Sequence, residues 1–473
     1  MASVKDFSPE SIELTTWGGA VEDITALCPL FQYYEDIDEP FVRASLGVID
    51  SGVNLIRTAP IQGGELVTIK FRCAADAELE SFELKFRIWK VYNRKFSANT
   101  QTYSLALLPN EAFTNQYQRV VKKLSGKPSE IVKDLLENYL QTEIELDIES
   151  TGNAVSFYPA RRNVISIIKS LQIRSISQNA YSNVGSTSST NNNVSTENSE
   201  NDKKVKGTAG YLFFQNKNGF IFNSIDKLCD DGQQNFDGRP VIAEYFAVPS
   251  LDDAGSTNNY YVIEAYRFTT EIDLLDKMQR GVYSNKMVLF NYATAETEEI
   301  VYNMKDTFDN MAKLGYQDNL PVFATTSGDD ESELPPSRVM SMVIDNESWN
   351  FSDDVGDPEE GGDGGGYPDE TKYLIAQGIA RRNVLELQRL EINVPGNYNL
   401  TVGEKIKVYL PNMASQQERN KEQWDNESSG KYLISKLSHN FNMADETGQT
   451  FETSLVLIRD TYGMEEEPSK VKG

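Results

Sequence analysis

Three short stretches near the start of this 473-residue chain come back, in the same order, near its end. Gly64–Phe71 (GELVTIKF) parallels Gly403–Leu410 (GEKIKVYL). Lys85–Tyr92 (KFRIWKVY) parallels Lys431–Ser438 (KYLISKLS), and Gln101–Leu108 (QTYSLALL) parallels Gln449–Val456 (QTFETSLV). Alternation of apolar and polar residues is common to all strands, so each match is weak singly. Three in order, each with identical residues, point to two copies of one β-domain. The spacing differs mainly by a polar, loop-like insertion near 412–429.

Between these ends the period changes. Tyr117, Val120, Val121 and Leu124 recur at helical spacing. A second helix is expected after Pro128-Ser129, with Ile131, Val132, Leu135, Leu136, Tyr139 and Leu140 on one face, and a third after Pro159 with Val164, Ile165, Ile168 and Leu171. Residues 182–206 are rich in Ser, Asn and Thr and read as a flexible loop. Tyr211–Phe214 and Phe220–Phe222, around Asn218-Gly219, read as a hairpin. The Gly- and Asp-rich stretch within 350–370 does not have the spacing of a calcium loop, since no Glu closes a twelve-residue loop with a central Gly, and it reads as a second flexible loop. A helix is expected over 372–391.

The expected class is α+β, mainly β: two duplicated β-barrel tube domains joined by mixed α/β domains. The first tube-like barrel covers 1–112, and an α/β middle domain covers 113–238. The second barrel starts over 239–310 and resumes over 392–473, with an acidic and helical insertion at 311–391. Three such chains in a ring would present six similar domains, so a three-fold object could mate with a six-fold one.

Composition narrows the chemistry. Against 45 Lys and Arg stand 71 Asp and Glu, a net charge of −26. Such a chain repels nucleic acid and anionic lipid rather than binding them. A solvated acidic surface explains this; so would a negative passage through which DNA slides without sticking. Cys28, Cys73 and Cys229 are scattered and form no CxxC, so neither a disulfide framework nor a zinc module is indicated. They read as buried thiols of a protein assembled in a reducing cytosol. No run of about 18 apolar residues is present that could span a membrane, and with no apolar stretch behind Met1–Asp6 no signal peptide is expected.

No P-loop, GxGxxG or GxSxG motif is present. The one histidine, His439, lies within a strand and has no nucleophile partner in a motif, so a packed or interface role is expected. No catalytic, cofactor or metal residues are assigned. Arg161-Arg162 and Arg381-Arg382 read as solvated helix faces or as interface salt bridges.

With these segments in view, the chain resembles the baseplate central hub proteins of contractile-tailed (myovirus) phages. It is distantly similar to the hub part of type VI secretion spike proteins. Three regions carry the resemblance: Phe41–Ala44 with Asp50–Ile56 and Pro60–Glu65; Gly210–Phe214 with Gly219–Asp226; and Leu400–Ile406 with Gly430–Ile434, His439 and Leu457–Gly463. The long Ser/Asn loop and the acidic Gly-rich insertion depart from the family's compact form.

The resemblance implies a virion structural protein assembled in the host cytoplasm. It implies a homotrimeric symmetry adaptor and tube initiator, without cofactor or stable membrane contact. Its partners would be the tail tube protein, the trimeric cell-puncturing spike and other baseplate proteins, with DNA only as cargo in the lumen. The tube-domain and interface candidates are Gly64, Glu65, Phe86, Ile88, Trp89, Gly403, Glu404, Tyr432, Ile434, His439, Arg459 and Asp460. Arg459 and Asp460 are expected to hold a barrel end or an interface by paired charges, or to form a solvated surface pair. The alternatives are a tail-associated peptidoglycan hydrolase, which needs a carboxylate pair in a cleft, and a receptor-binding module using aromatics such as Tyr260, Tyr261 and Trp424.

Overall fold

The computed structural model describes residues 7–464 apart from 53, 76–77, 98, 179–208, 233–235, 248–260, 271–272, 292–294, 309–310, 317–335, 345–367, 415–422 and 444–448. Both expected flexible loops and the tail beyond 464 lie outside the described residues, except that 368–370 open a helix.

The chain is mainly β. Seven strands come first: β1 (Phe7–Thr15), β2 (Val21–Asp23), β3 (Leu30–Asp36), β4 (Arg43–Ser51), β5 (Leu66–Ala75), β6 (Glu78–Ser97) and β7 (Thr100–Leu108). Their period of two is plain in burial. Val67, Ile69, Phe71 and Cys73 of β5 are buried, as are Tyr103, Leu105 and Leu107 of β7. Each such side chain contributes roughly 1.5–3 kcal/mol by leaving water. A short helix, α1 (Leu55–Thr58), links β4 to β5.

The middle region holds α2 (Asn110–Tyr117), β8 (Leu124–Gly126), α3 (Pro128–Asp134), β9 (Glu145–Ile148), β10 (Val155–Phe157), α4 (Val164–Gln172), β11 (Tyr211–Asn216), β12 (Gly219–Ser224) and α5 (Ile225–Cys229). Pro at the first turn starts α3, which continues as a π-helical turn over Leu135–Leu140. Helix α4 buries Val164, Ile165, Ile168 and Leu171, as its spacing requires. The first expected helix is displaced. It covers Asn110–Tyr117, and Tyr117 and Val121 are exposed, so the spacing over 117–124 was accidental. The hairpin β11–β12 forms as read, and β9 joins it in parallel.

After β13 (Ala243–Phe246) and β14 (Ala265–Thr270) comes a small separate unit. It comprises α6 (Leu274–Gln279), β15 (Ser284–Asn291), β16 (Glu296–Asn303), β17 (Arg338–Ile344) and α7 (Pro368–Val384), with Met287, Tyr302, Ile375 and Ala380 in its core. Helix α7 ends at Val384, short of the expected 391, because β18 (Gln388–Pro395) already begins there. The chain closes with β19 (Lys405–Tyr409), β20 (Gly430–Asn442) and β21 (Thr450–Arg459).

One sheet of thirteen strands joins the two ends. Its main path runs β14-β18-β21-β20-β3-β4-β7-β6-β5-β1-β2, and β19 and β13 branch from β20. Two runs along it match strand for strand: β5-β6-β7-β4-β3 and β19-β20-β21-β18-β14. The ladder of β6 against β7 slips between Ile88 and Lys90; that of β20 against β21 slips between Ile434 and Lys436. Trp89 and Ser435 are thus the extra residues of equivalent bulges.

The third sequence match needs correction by two residues. Ile88 faces Leu107 and Ile434 faces Leu457, so Leu107 corresponds to Leu457 and not to Leu455. An even shift keeps every side chain on its face, which is why alternation alone could not detect it. The runs differ at their far side, since β1 is antiparallel to β5 while β13 is parallel to β19. Among the described residues the path is open from β14 to β2, so no closed barrel forms within the chain.

Candidate functional site

The two strand runs meet where β3 pairs with β20, and the candidate residues concentrate around that seam. On one side of β20, β19 covers Gly430–Leu433; beyond the bulge at Ser435, β3 covers Lys436–Asn442. The Ile37 N–H donates to the Ser435 carbonyl at 3.0 Å and marks the change of partner. Across the seam Phe31 stacks on Phe441, with centroids 5.4 Å apart and planes within 14°. Phe441 stacks in turn on Phe451 at 4.4 Å.

His439 sits in this aromatic layer, fully buried, with its ring stacked on Tyr33. Its Nδ1 is 3.0 Å from the Thr453 hydroxyl. Burial, reinforced by the nearby Lys217 cation, holds its pKa well below the usual range, so the ring is neutral. The side chain packs the seam and is closed to a substrate.

Two residues along, Glu35 is a buried carboxylate with four donors. It accepts from the Tyr33 hydroxyl at 2.8 Å, the Thr401 hydroxyl at 2.7 Å, and the Val402 and Lys217 N–H groups at 2.8 and 2.6 Å. Burial raises its pKa against the pull of those donors. The result fastens the β11–β12 turn and the 397–402 loop to the seam.

The paired Gly-Glu positions do the same backbone work in both runs. Gly64 and Gly403 have φ of 91° and 88°. The Gly64 N–H donates to Ile88 O and the Ile88 N–H to Glu65 O; Gly403, Ile434 and Glu404 repeat that exchange. Their carboxylates part ways: Glu65 accepts from the Gln62 and Gly63 N–H groups, whereas Glu404 holds Arg239 at 2.6 Å. Phe86, Ile88, Tyr432 and Ile434 are core residues. Trp89, at the bulge, is 50% exposed.

Arg459 and Asp460 do not pair with each other. The Arg459 guanidinium lies over the Tyr432 ring and donates to the carbonyls of Ser429 and Glu427. Asp460 accepts from Arg381 at 2.7 Å and from the Leu314 N–H at 2.9 Å. Arg381 is 1% exposed; its Nε lies 3.6 Å from Asp226, and it also donates to the Ala312 carbonyl. One buried cation thus faces two buried carboxylates and pins the small unit to α5 and to the end of β21. Burial outweighs the Arg381 charge and pushes the Asp226 carboxyl up to about 7.

Sequence reading left Arg381 as a solvated or interface arginine and missed Glu35. Their partners are scattered from Asp226 to Asp460, so no local spacing announces them. Arg382, its neighbour, makes a more open pair with Asp38 at 2.5 Å. Of the aromatics weighed for receptor contact, Trp424 is buried beside Tyr409 and Phe246, Tyr261 is partly exposed, and Tyr260 lies outside the described residues. All three cysteines are buried. Among the described residues no group of three or more His, Cys, Asp or Glu could hold a metal ion, and no helix is long and apolar enough to cross a membrane.

No protein-family model matches the sequence, and no curated protein matches it. The structural neighbours are phage tail and baseplate proteins together with type VI secretion proteins. A tail protein from Neisseria meningitidis MC58 is similar at TM-score 0.49 and 11% identity, over 95% of this chain and 96% of that one. The 43 kDa tail protein of prophage MuSo2 from Shewanella oneidensis is similar at TM-score 0.44 and 9% identity, over 95% and 98%. An Escherichia coli type VI secretion component, described as similar to tail proteins of bacteriophage T4, follows at TM-score 0.38 and 10% identity, over 93% and 76%.

Proposed function

We propose that this chain is a structural hub of a phage tail baseplate, acting by shape and symmetry rather than by catalysis. Three chains form a ring whose six related strand runs receive the six-fold tail tube on one face, start its assembly, and seat the trimeric cell-puncturing spike on the other. Other baseplate proteins surround the ring. The observation that carries this reading is the repeat inside one chain: two strand runs of the same order, with the same Gly-Glu exchange and the same bulge. A three-fold ring acquires quasi-six-fold character only from such a repeat.

The barrels that the sequence leads one to expect are open in a single chain, and in this reading they close by pairing across chains. The packed His439 and buried thiols favour a structural role over nucleophilic catalysis. The surplus of carboxylates disfavours lasting contact with DNA phosphates and suits a passage through which DNA moves as cargo.

The test is nucleation. Tube protein mixed with the purified hub and spike should polymerise from the ring, with tubes ending on hub particles in electron micrographs. Tubes that grow equally well without the hub would contradict the proposal. Clearing of a peptidoglycan suspension by the hub alone would replace it with the hydrolase reading.

A further inference from the structure

The β3–β20 seam has a counterpart that the single chain leaves unmade. Beyond its bulge at Ser435, β20 offers an edge that β3 covers. Beyond its bulge at Trp89, β6 offers the equivalent edge, and among the described residues nothing covers it. Strand β5 reaches only to Arg87, and Lys90–Ser97 pair with β7 alone. The strand equivalent to β3 in the second run is β14, which lies at the end of the sheet with β18 as its one partner in the path.

We propose that β14 of one chain pairs with the free edge of β6 in the next, closing the ring with a second copy of the seam. The inference rests on the ring reading above and names its contact.

The registers specify which residues meet. Leu46 and Ile392 are equivalent, since they face Leu105 and Leu455; Phe31 faces Leu46 and Tyr266 faces Ile392. Tyr266 therefore stands where Phe31 does, and Phe268 where Tyr33 does. On the other strand, a second slip between Tyr92 and Lys95 brings Phe96 opposite Gln101, the place that Phe441 holds opposite Phe451. Phe31 and Phe441 are direct partners in the internal seam. Their equivalents, Tyr266 and Phe96, become direct partners between chains.

Three exposures acquire a cause. Phe96 is 72% exposed and Tyr266 36%, although their equivalents Phe441 and Phe31 are fully buried. Trp89 is half-exposed at the bulge. Lys90 corresponds to Lys436, which pairs with Asp36 across the seam at 2.7 Å, yet Lys90 has no carboxylate within ion-pair distance among the described residues. The competing explanation is edge protection, since lysines and bulges keep lone strands from associating. It accounts for Lys90 and Lys95 but not for an aromatic ring at the tip of the same edge.

The experiment places cysteines at the expected partners, Phe96→Cys and Tyr266→Cys, in one full-length chain. Directly opposed residues lie within disulfide reach. Mild copper–phenanthroline oxidation of this variant should give covalent dimers and trimers, stopping at trimer. Either single variant, and a control joining Phe96→Cys to the remote Val339→Cys, should not cross-link in this way. The charge variant Phe96→Asp should weaken ring assembly about tenfold or more while keeping the wild-type circular dichroism. A wild-type chain that forms the ring, with no cross-link in the double-cysteine variant and no loss of assembly in Phe96→Asp, would overturn the strand pairing and leave the ring reading standing. A wild-type chain that stays monomeric alone and with the spike protein would overturn both.

Discussion

Asp226, Asp460 and Arg381 form a costly arrangement, two carboxylates and one cation out of water. Arg381→Met leaves both acids uncompensated and is expected to destabilise the fold by roughly 3–5 kcal/mol, read as a drop in denaturant midpoint. The same cluster sets a pH dependence. Unfolded, the Asp226 carboxyl returns to its ordinary value near 3.8; folded, it titrates at about 7. Between those values the native state holds a proton that the unfolded chain lacks, so this group's contribution falls as pH rises through the window. His439 acts in the opposite sense. Its folded pKa lies below the ordinary 6.5, so its contribution is lost as pH falls below that value. Relative to wild type, Asp226→Asn should gain stability from pH 5 to pH 8, and His439→Gln should gain it from pH 8 to pH 5. Parallel denaturation curves for variant and wild type at both pH values would contradict the assignment.

At the scale of elements, the two runs offer a matched pair of glycines in unequal surroundings. A Cβ on Gly64 would lie 2.6 Å from the Trp17 ring, and one on Gly403 would lie 2.6 Å from the Phe214 ring. Trp17 is 69% exposed and can swing aside, whereas Phe214 is fully buried. Gly64→Ala should therefore cost about 1–2 kcal/mol for the left-handed backbone. Gly403→Ala should cost that plus ~1–3 kcal/mol of overpacking. Equal denaturant midpoints for the two variants would contradict this. The strands β5, β6, β7, β20 and β21 were legible because apolar residues recur at every second position along much of their length, and α3 and α4 because Pro128 and the Val164–Leu171 spacing fix them. The displacement of α2 was not legible, since Tyr117 and Val121 carry a helical spacing that no packing partner uses. Nor could spacing reveal that β3 crosses to β20, because that pairing joins residues some four hundred positions apart in sequence. Glu35 and Arg381 stayed hidden for the same reason: their partners converge only after the seam and the small unit have formed.

At the scale of the whole molecule, a single chain carries one completed seam and the two halves of another. An isolated monomer would leave a long free strand edge with exposed Trp89 and Phe96, a state that association relieves. A head-to-tail contact of this kind closes only when the rotation per chain divides a full turn; with two related runs per chain, three chains complete six positions. The most direct measurement is the molar mass of the purified chain by light scattering coupled to size exclusion, alone and with the spike protein. The account expects three times the chain mass in at least one of the two conditions, with the Phe96→Asp variant shifted toward monomer. A monomer in both conditions would contradict it.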